Sequence, residues 1–345
     1  MSLKRFTGWP KGLADVDISD LGSVLPGPSL IYIKGKQERP LFLSTLLHGN
    51  ETTSFHVLQM LVKRYSTEPP PRSLMIFVGN IDGAEQGKRV LPGRKDMNRI
   101  WAPDELDDCP EKALAETVLA IARGANLFAS IDIHNTTGRN PHYGCVNTLR
   151  AEDLALIEGF ASIGVYYQNP STTQSVAFSK LCPAITVECG QNDNQSGFEA
   201  ALALVDRVMT MTGFDDINEP AFTGTLFETV GRVVLEETAS GYPSIGFGTP
   251  GHDLVFDGDM QGLNFQQLDQ NSLFAQRPEN CNGSAAGLLV VDEQGHDLTN
   301  RFFKATAGEI RLNTAVTPAM ITHDEAIIRQ DCLCYLMKPI ALQQF

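Results

Sequence analysis

The sequence predicts an α/β fold, a mainly parallel or mixed sheet with flanking helices, followed by a C-terminal β-rich domain. Two observations carry this. From about residue 29 to residue 211, short apolar runs bounded by turn residues alternate with segments of helical period. Beyond Gly213 the pattern changes to short β-like runs separated by Gly and Asp turns.

The elements follow in order. Residues 29–34 (SLIYIK) and 40–47 (PLFLSTLL) read as strands joined through the polar turn GKQER. Residues 52–65 place Phe55, Leu58, Leu61, Val62 and Tyr65 on one helical face, and the prolines at 69–71 forbid continuation. LMIFVGNI (74–81) reads as a buried strand and 82–103 as a long polar loop. A helix is expected over 111–123, a strand over 128–134, a loop over 135–145 and a helix over 151–162. Strands are expected at 165–168 and 184–190, and an amphipathic helix at 198–211. GFDDINEPA (213–221) reads as a linker, which divides the chain into domains at 1–215 and 220–345. In the second domain TLFETVGRVVLEE, GLLVVDE, EIRLNTAV and AIIRQDCLCYLM all read as β-like runs.

Composition narrows the function. The chain has 345 residues, 42% of them hydrophobic and 20% charged, the values of a soluble globular protein. A net charge of −14 argues against nucleic acid as a partner, because that needs a basic face. It also means that an anionic substrate would need a local cluster of cations. No apolar run is long enough for a membrane span, and the first residues lack a signal-peptide core. The seven cysteines are scattered, which favours free thiols and a cytoplasmic setting. Cys332 and Cys334 are too close for a zinc knuckle and read as strand residues.

Four stretches place an ionisable residue at or just past the carboxyl end of an expected strand, the edge where open α/β sheets bind ligands. LLHGNE offers His48 and Glu51, three residues apart. Alone, the pair also suits a helix N-terminus with a dipole-compensating acid. SIDIHNTTG offers Asp132 and His134 on one strand face, the arrangement of a metal ligand and the carboxylate behind it, or of a core histidine. ITVECG ends a buried strand on Glu188, which is costly unless the carboxylate is paired, ligated or poised with a raised pKa. GKRVLPGRKDMNRIW (87–101) concentrates Lys88, Arg89, Arg94, Lys95 and Arg99 in an acidic chain; a solvated basic loop is its ordinary reading, and arginine suits carboxylate recognition. Together they suggest one device. His48, Glu51 and His134 form a His₂Glu set, the ligand type of hydrolytic zinc. Glu188 would act as general base, an arginine would hold the oxyanion, and Asn98 and Arg99 would grip a substrate carboxylate.

The order HGNE, DMNR, DIHNTTG, VECG over about residues 40–210 resembles the succinylglutamate desuccinylase/aspartoacylase family, a branch of the zinc carboxypeptidase-like metallohydrolases. The resemblance implies one Zn²⁺ per chain and hydrolysis of the amide bond of a small N-acyl amino acid. It implies His48, Glu51 and His134 as zinc ligands, Glu188 as the base and Asn98–Arg99 as the carboxylate clamp. Arg89 is the expected oxyanion arginine, with Arg94 as fallback. Members of the aspartoacylase type carry a further arginine before the catalytic Glu for a second carboxylate; here only Lys180 offers a cation in that stretch. Two alternatives stay open, a zinc carboxypeptidase acting on short peptides and a non-catalytic relative that binds a metabolite. A homo-oligomer is compatible with the sequence.

Overall fold

The computed structural model describes residues 2–214, 221–237, 241–278, 287–306 and 308–341. Most of the expected linker, residues 215–220, lies outside the described residues, as does Cys281. The chain divides into two compact units. One comprises Met1–Asn135, His142–Leu226 and Leu342–Phe345; the other comprises Thr136–Pro141 and Phe227–Ala341.

In the first unit the strands are β1 (Lys4–Thr7), β2 (Ser29–Ile33), β3 (Gln37–Thr45), β4 (Arg72–Val78), β5 (Ala129–His134), β6 (Tyr143–Val146), β7 (Ile163–Tyr166) and β8 (Ala184–Glu188). The helices are α1 (Thr53–Arg64), α2 (Ile81–Glu85), α3 (Pro110–Gly124), α4 (Ala151–Glu158), α5 (Gln174–Phe178) and α6 (Gln195–Thr210). The sheet order is β1-β2-β4-β3-β5-β8-β6-β7. β3 pairs in parallel with β4 and β5, and β5 with β8, so the centre of the sheet is parallel. β2–β4 and β6–β8 are antiparallel, which makes the whole sheet mixed. β2 and β3 do not form a hairpin, because β4 lies between them. One face buries Phe42, Phe77, Trp101, Leu114, Val118 and Phe178. Each side chain of this size contributes about 1.5–3 kcal/mol when removed from water.

Helix ends explain the boundary differences. α6 begins at Gln195 because the Asn194 side chain accepts from Gly197 N at 3.1 Å, a cap that the apolar stripe beginning at Phe198 does not reveal. α1 has no side-chain cap of its own. Asn192 and Asn135 accept from Thr52 N and Thr53 N, so distant segments supply the cap. The expected loop at 82–103 opens with α2, and the expected loop at 135–145 ends in β6. β1 and α5 carry too little pattern to be read from sequence.

The second unit is β-rich. It takes β9 (Thr225–Leu235) from Phe227 onward, with β10 (Ile245–Phe247), β11 (Leu254–Phe256), β12 (Leu273–Gln276), β13 (Leu288–Val291), β14 (Phe303–Thr306), β15 (Glu309–Leu312), β16 (Thr317–Ala319) and β17 (Cys334–Ile340). β10-β11-β12-β15-β14 form one sheet, while β13 pairs with β9 and β16 with β17. Two short helices interrupt it, α7 (Thr299–Phe302) and α8 (Glu325–Gln330). α8 corrects the expectation of a continuous β run over 326–337. The Asp324 side chain accepts from Ala326 N and Ile327 N and starts a helix there. Cys334 opens β17, and Cys332 stands just before it. Among the described residues the cysteines are free, and no helix is long and apolar enough to cross a membrane.

Candidate functional site

The site lies at the carboxyl edge of the parallel strands of the first unit. β3 ends at Thr45, and the chain turns through Leu46, whose φ of 50° is unusual for a non-glycine residue. Leu46 N donates to the Ser54 hydroxyl, which anchors that turn on α1. His48 follows, and a turn in which Glu51 N donates to His48 O brings Glu51 back beside it. Glu51 therefore stands two residues before α1 rather than in its first turn. Gly49 is required by close approach: a Cβ there would meet the carbonyl carbon of Gly83 at 2.2 Å.

Glu51 bridges two histidines. Its Oε1 lies 2.8 Å from His48 Nδ1 and its Oε2 lies 2.7 Å from His134 Nδ1. Each histidine turns its other nitrogen to a carboxylate. His48 Nε2 lies 3.0 Å from Asp96 Oδ1, and His134 Nε2 lies 2.8 Å from Asp132 Oδ2. Each carboxylate can accept from Nε2, and Nδ1 of each ring faces Glu51. His48, Glu51 and His134 are 3%, 6% and 3% exposed. One donor atom from each lies within 4.8 Å of the others, so the set can hold a metal ion. Two imidazoles and one carboxylate suit zinc and leave room for a further ligand.

The electrostatics follow from this packing. Burial alone would raise the Glu51 carboxyl, but the charges and hydrogen bonds of His48 and His134 outweigh it and hold it well below the usual carboxylate range. Burial pulls the His134 ring downward, but Asp132 and Glu51 outweigh that and raise it well above the ordinary histidine value. Asp96 is likewise held low against burial, first by His48 and then by Arg89 and Arg99.

Glu188 ends β8 directly opposite His134 in the register of β5 and β8. Its Oε2 is buried with no hydrogen-bond partner among the described residues. Burial pushes its carboxyl up to about 8; His134 opposes this, while the negative charges of Glu51 and Asp132 add to it.

The basic loop is resolved residue by residue. Arg89 reaches Glu51 Oε1 at 3.1 Å and Asp96 Oδ2 at 3.5 Å. Arg94 points elsewhere, toward Asp82 and Glu111 at 3.8 Å each. Asn98 is buried; its Oδ1 accepts from Gln174 N at 2.9 Å, and its Nδ2 lies 3.3 Å from His134 Nε2. Arg99 is partly buried and donates to Asn98 O. The structure gathers His48, Glu51, His134, Glu188, Arg89 and Asn98, with Arg99 next in chain. It does not bring Lys180 to them: Lys180 is exposed beyond the C-terminal end of α5, whose first residue, not its last, meets Asn98. His142 packs edge-on against Phe160, and His56 is exposed on α1.

Three residues of the site escaped the sequence reading. Asp96 serves His48 as Asp132 serves His134, and its position in DMNR was the available signal. Asn135 donates its backbone N–H to Glu51 Oε2 at 3.2 Å while capping α1. Ser44 bonds to Asp132.

The succinylglutamate desuccinylase/aspartoacylase catalytic domain model matches residues 37–211. Curated proteins give no match by sequence. Among solved structures, the chain is similar to succinylglutamate desuccinylase from Chromobacterium violaceum, at 18% identity over 88% of this chain and 86% of that one, with a TM-score of 0.55. It is similar to murine aminoacylase 3 at 16% identity, over 88% and 96% of the two chains, with a TM-score of 0.60. It is also similar to the product-bound ectoine utilization protein EutE (DoeB) from Ruegeria pomeroyi, at 14% identity over 90% and 88%, with a TM-score of 0.54. At these identities the likeness is one of fold, the zinc-carboxypeptidase-like α/β architecture. The family match spans half of the chain and contains every residue that the site gathers, and the protein belongs to the succinylglutamate desuccinylase/aspartoacylase family.

Proposed function

We propose that this protein is a cytoplasmic, zinc-dependent amidohydrolase that cleaves the amide bond of a small N-acyl amino acid. One observation carries the reading: His48 and His134 turn Nδ1 onto the two oxygens of Glu51, while Asp96 and Asp132 occupy both Nε2 atoms. His48, Glu51 and His134 would hold the ion. When bound, zinc supplies Lewis acidity that activates water and polarises a carbonyl. The remaining chemistry belongs to the chain. Glu188, buried opposite His134 at the sheet edge, takes a proton from the attacking water and delivers it to the leaving amine. Arg89, held by Glu51 and Asp96, faces the developing oxyanion. Arg99 receives the substrate carboxylate, supported by Asn98, whose Oδ1 is already taken by Gln174 N.

The test is free-amine release from a panel of N-acyl amino acids and short peptides, with zinc-loaded and chelator-treated protein side by side. Zinc-dependent cleavage of an acyl amino acid is expected. Cleavage of peptides alone would make the protein a carboxypeptidase, and silence across the panel would defeat the amidohydrolase reading.

A proton count tests the metal assignment separately. The raised His134 pKa lies above the unfolded value, so its contribution to stability in metal-free protein is complete below pH 6.5 and is lost as pH rises through the folded-state value. The proton that Asp132 and Glu51 favour on the His134 ring competes with a metal at Nδ1. Calorimetry in buffers of different ionisation enthalpy should show net proton release on zinc binding, with affinity rising with pH. Zinc affinity that does not change with pH would count against His134 as a ligand.

A further inference from the structure

Ser44 follows the buried apolar run Leu41–Leu43 near the end of β3. It lies on β3 opposite Asp132 of β5 in the parallel register, and both are fully buried. A hydroxyl sealed from water is costly unless bonded. The Ser44 hydroxyl donates to Asp132 Oδ1 at 2.5 Å, a short charge-assisted bond. The other oxygen of the same carboxylate receives His134 Nε2. Each of the two carboxylates behind the histidines thus has its own holder. Asp96 has Asn98 N at 2.7 Å and the Arg89 guanidinium, whereas Asp132 has the Ser44 hydroxyl.

We propose that Ser44 is a positioning residue for the metal centre. Its hydroxyl pins the Asp132 carboxylate, so that His134 keeps its proton on Nε2 and presents Nδ1 to the ion. β3 then serves the site twice, through Ser44 near its end and through His48 just past it. The inference rests on the metal reading above.

Two measurements test it. Zinc affinity of stripped protein is read by competition with a chromophoric chelator. Ser44→Ala should weaken it about tenfold, the low end for a partner outside the ligand set. Ser44→Thr, which keeps the hydroxyl, should recover most of that loss. In an Asp132→Asn background, Ser44→Ala should add less than about twofold, because its route is already cut. The second measurement needs no metal: the downfield imidazole N–H proton resonance of His134, assigned by its disappearance in His134→Gln, should move in Ser44→Ala. If Ser44→Ala does not fold, Ser44→Cys, similar in size and a weak donor, carries the same comparison. An unmoved resonance overturns the proposal, as does an equal affinity loss in the Asp132→Asn background. A resonance that moves in protein that never takes up zinc refutes the metal reading instead and leaves the Ser44–Asp132–His134 connection standing.

Discussion

Glu188→Gln is expected to keep its zinc and lose turnover by roughly 10²–10⁴-fold, the usual contribution of a positioned acid–base group. The substitution preserves shape and replaces the titratable carboxyl with a carboxamide that cannot accept and return the proton. Glu188 is suited to that proton by its surroundings. It sits opposite His134 at the sheet edge, its Oε2 is buried without a partner among the described residues, and burial raises its carboxyl to about 8. A group with a pKa near neutrality can accept a proton from water and return it to an amine within one turnover. Metal content and rate are measured on the same sample, and near-normal turnover would remove Glu188 from the chemistry. The shift has a second consequence in metal-free protein. Between pH 4.5 and about 8 the folded state binds a proton that the unfolded state releases. This contribution to stability is therefore complete below pH 4.5 and is lost as pH rises through about 8. Denaturant titrations at pH 5 and pH 8 should show the decline in wild-type protein and a flatter profile in Glu188→Gln.

His134→Ala should abolish tight zinc binding, with a loss exceeding the roughly 10–100-fold cost of removing an outer partner. The ring joins more than the ion. In the structure it stands between Glu51 and Asp132, two buried carboxylates, at 2.7 Å and 2.8 Å. Its removal leaves each with one fewer positive neighbour. Breaking a buried ion pair from one side costs about 3–5 kcal/mol, so the metal-free variant should also unfold at lower denaturant concentration. Elemental analysis and chemical denaturation read the two effects. Full zinc occupancy in His134→Ala would show that another residue completes the ligand set.

The parts of this fold that were legible share a cause. α1, α3 and α6 carry a long apolar stripe, and β3, β4, β5 and β8 are apolar runs buried in a mixed sheet whose centre is parallel, so burial wrote itself into the local pattern. What was missed is short or capped from afar. α5 has five residues, and α8 depends on one aspartate ahead of an apolar run that reads equally well as a strand. The order β2-β4-β3 could not be read at all, because pairing partners are chosen by packing across the sheet and not by neighbours in the chain.

The same division holds at the site. The sequence by itself determined which side chains end the strands: His48 past β3, His134 on β5 and Glu188 on β8, each an ionisable group after an apolar run. Only the tertiary structure decided how they are held. It placed Asp96 behind His48, brought Arg89 to Glu51 and Arg94 to Asp82, left Lys180 exposed, and set Ser44 against Asp132 across two strands. Apolar periodicity reports what is buried, but a hydrogen bond between residues 88 positions apart leaves no trace in either local pattern, because its partner is supplied by the fold.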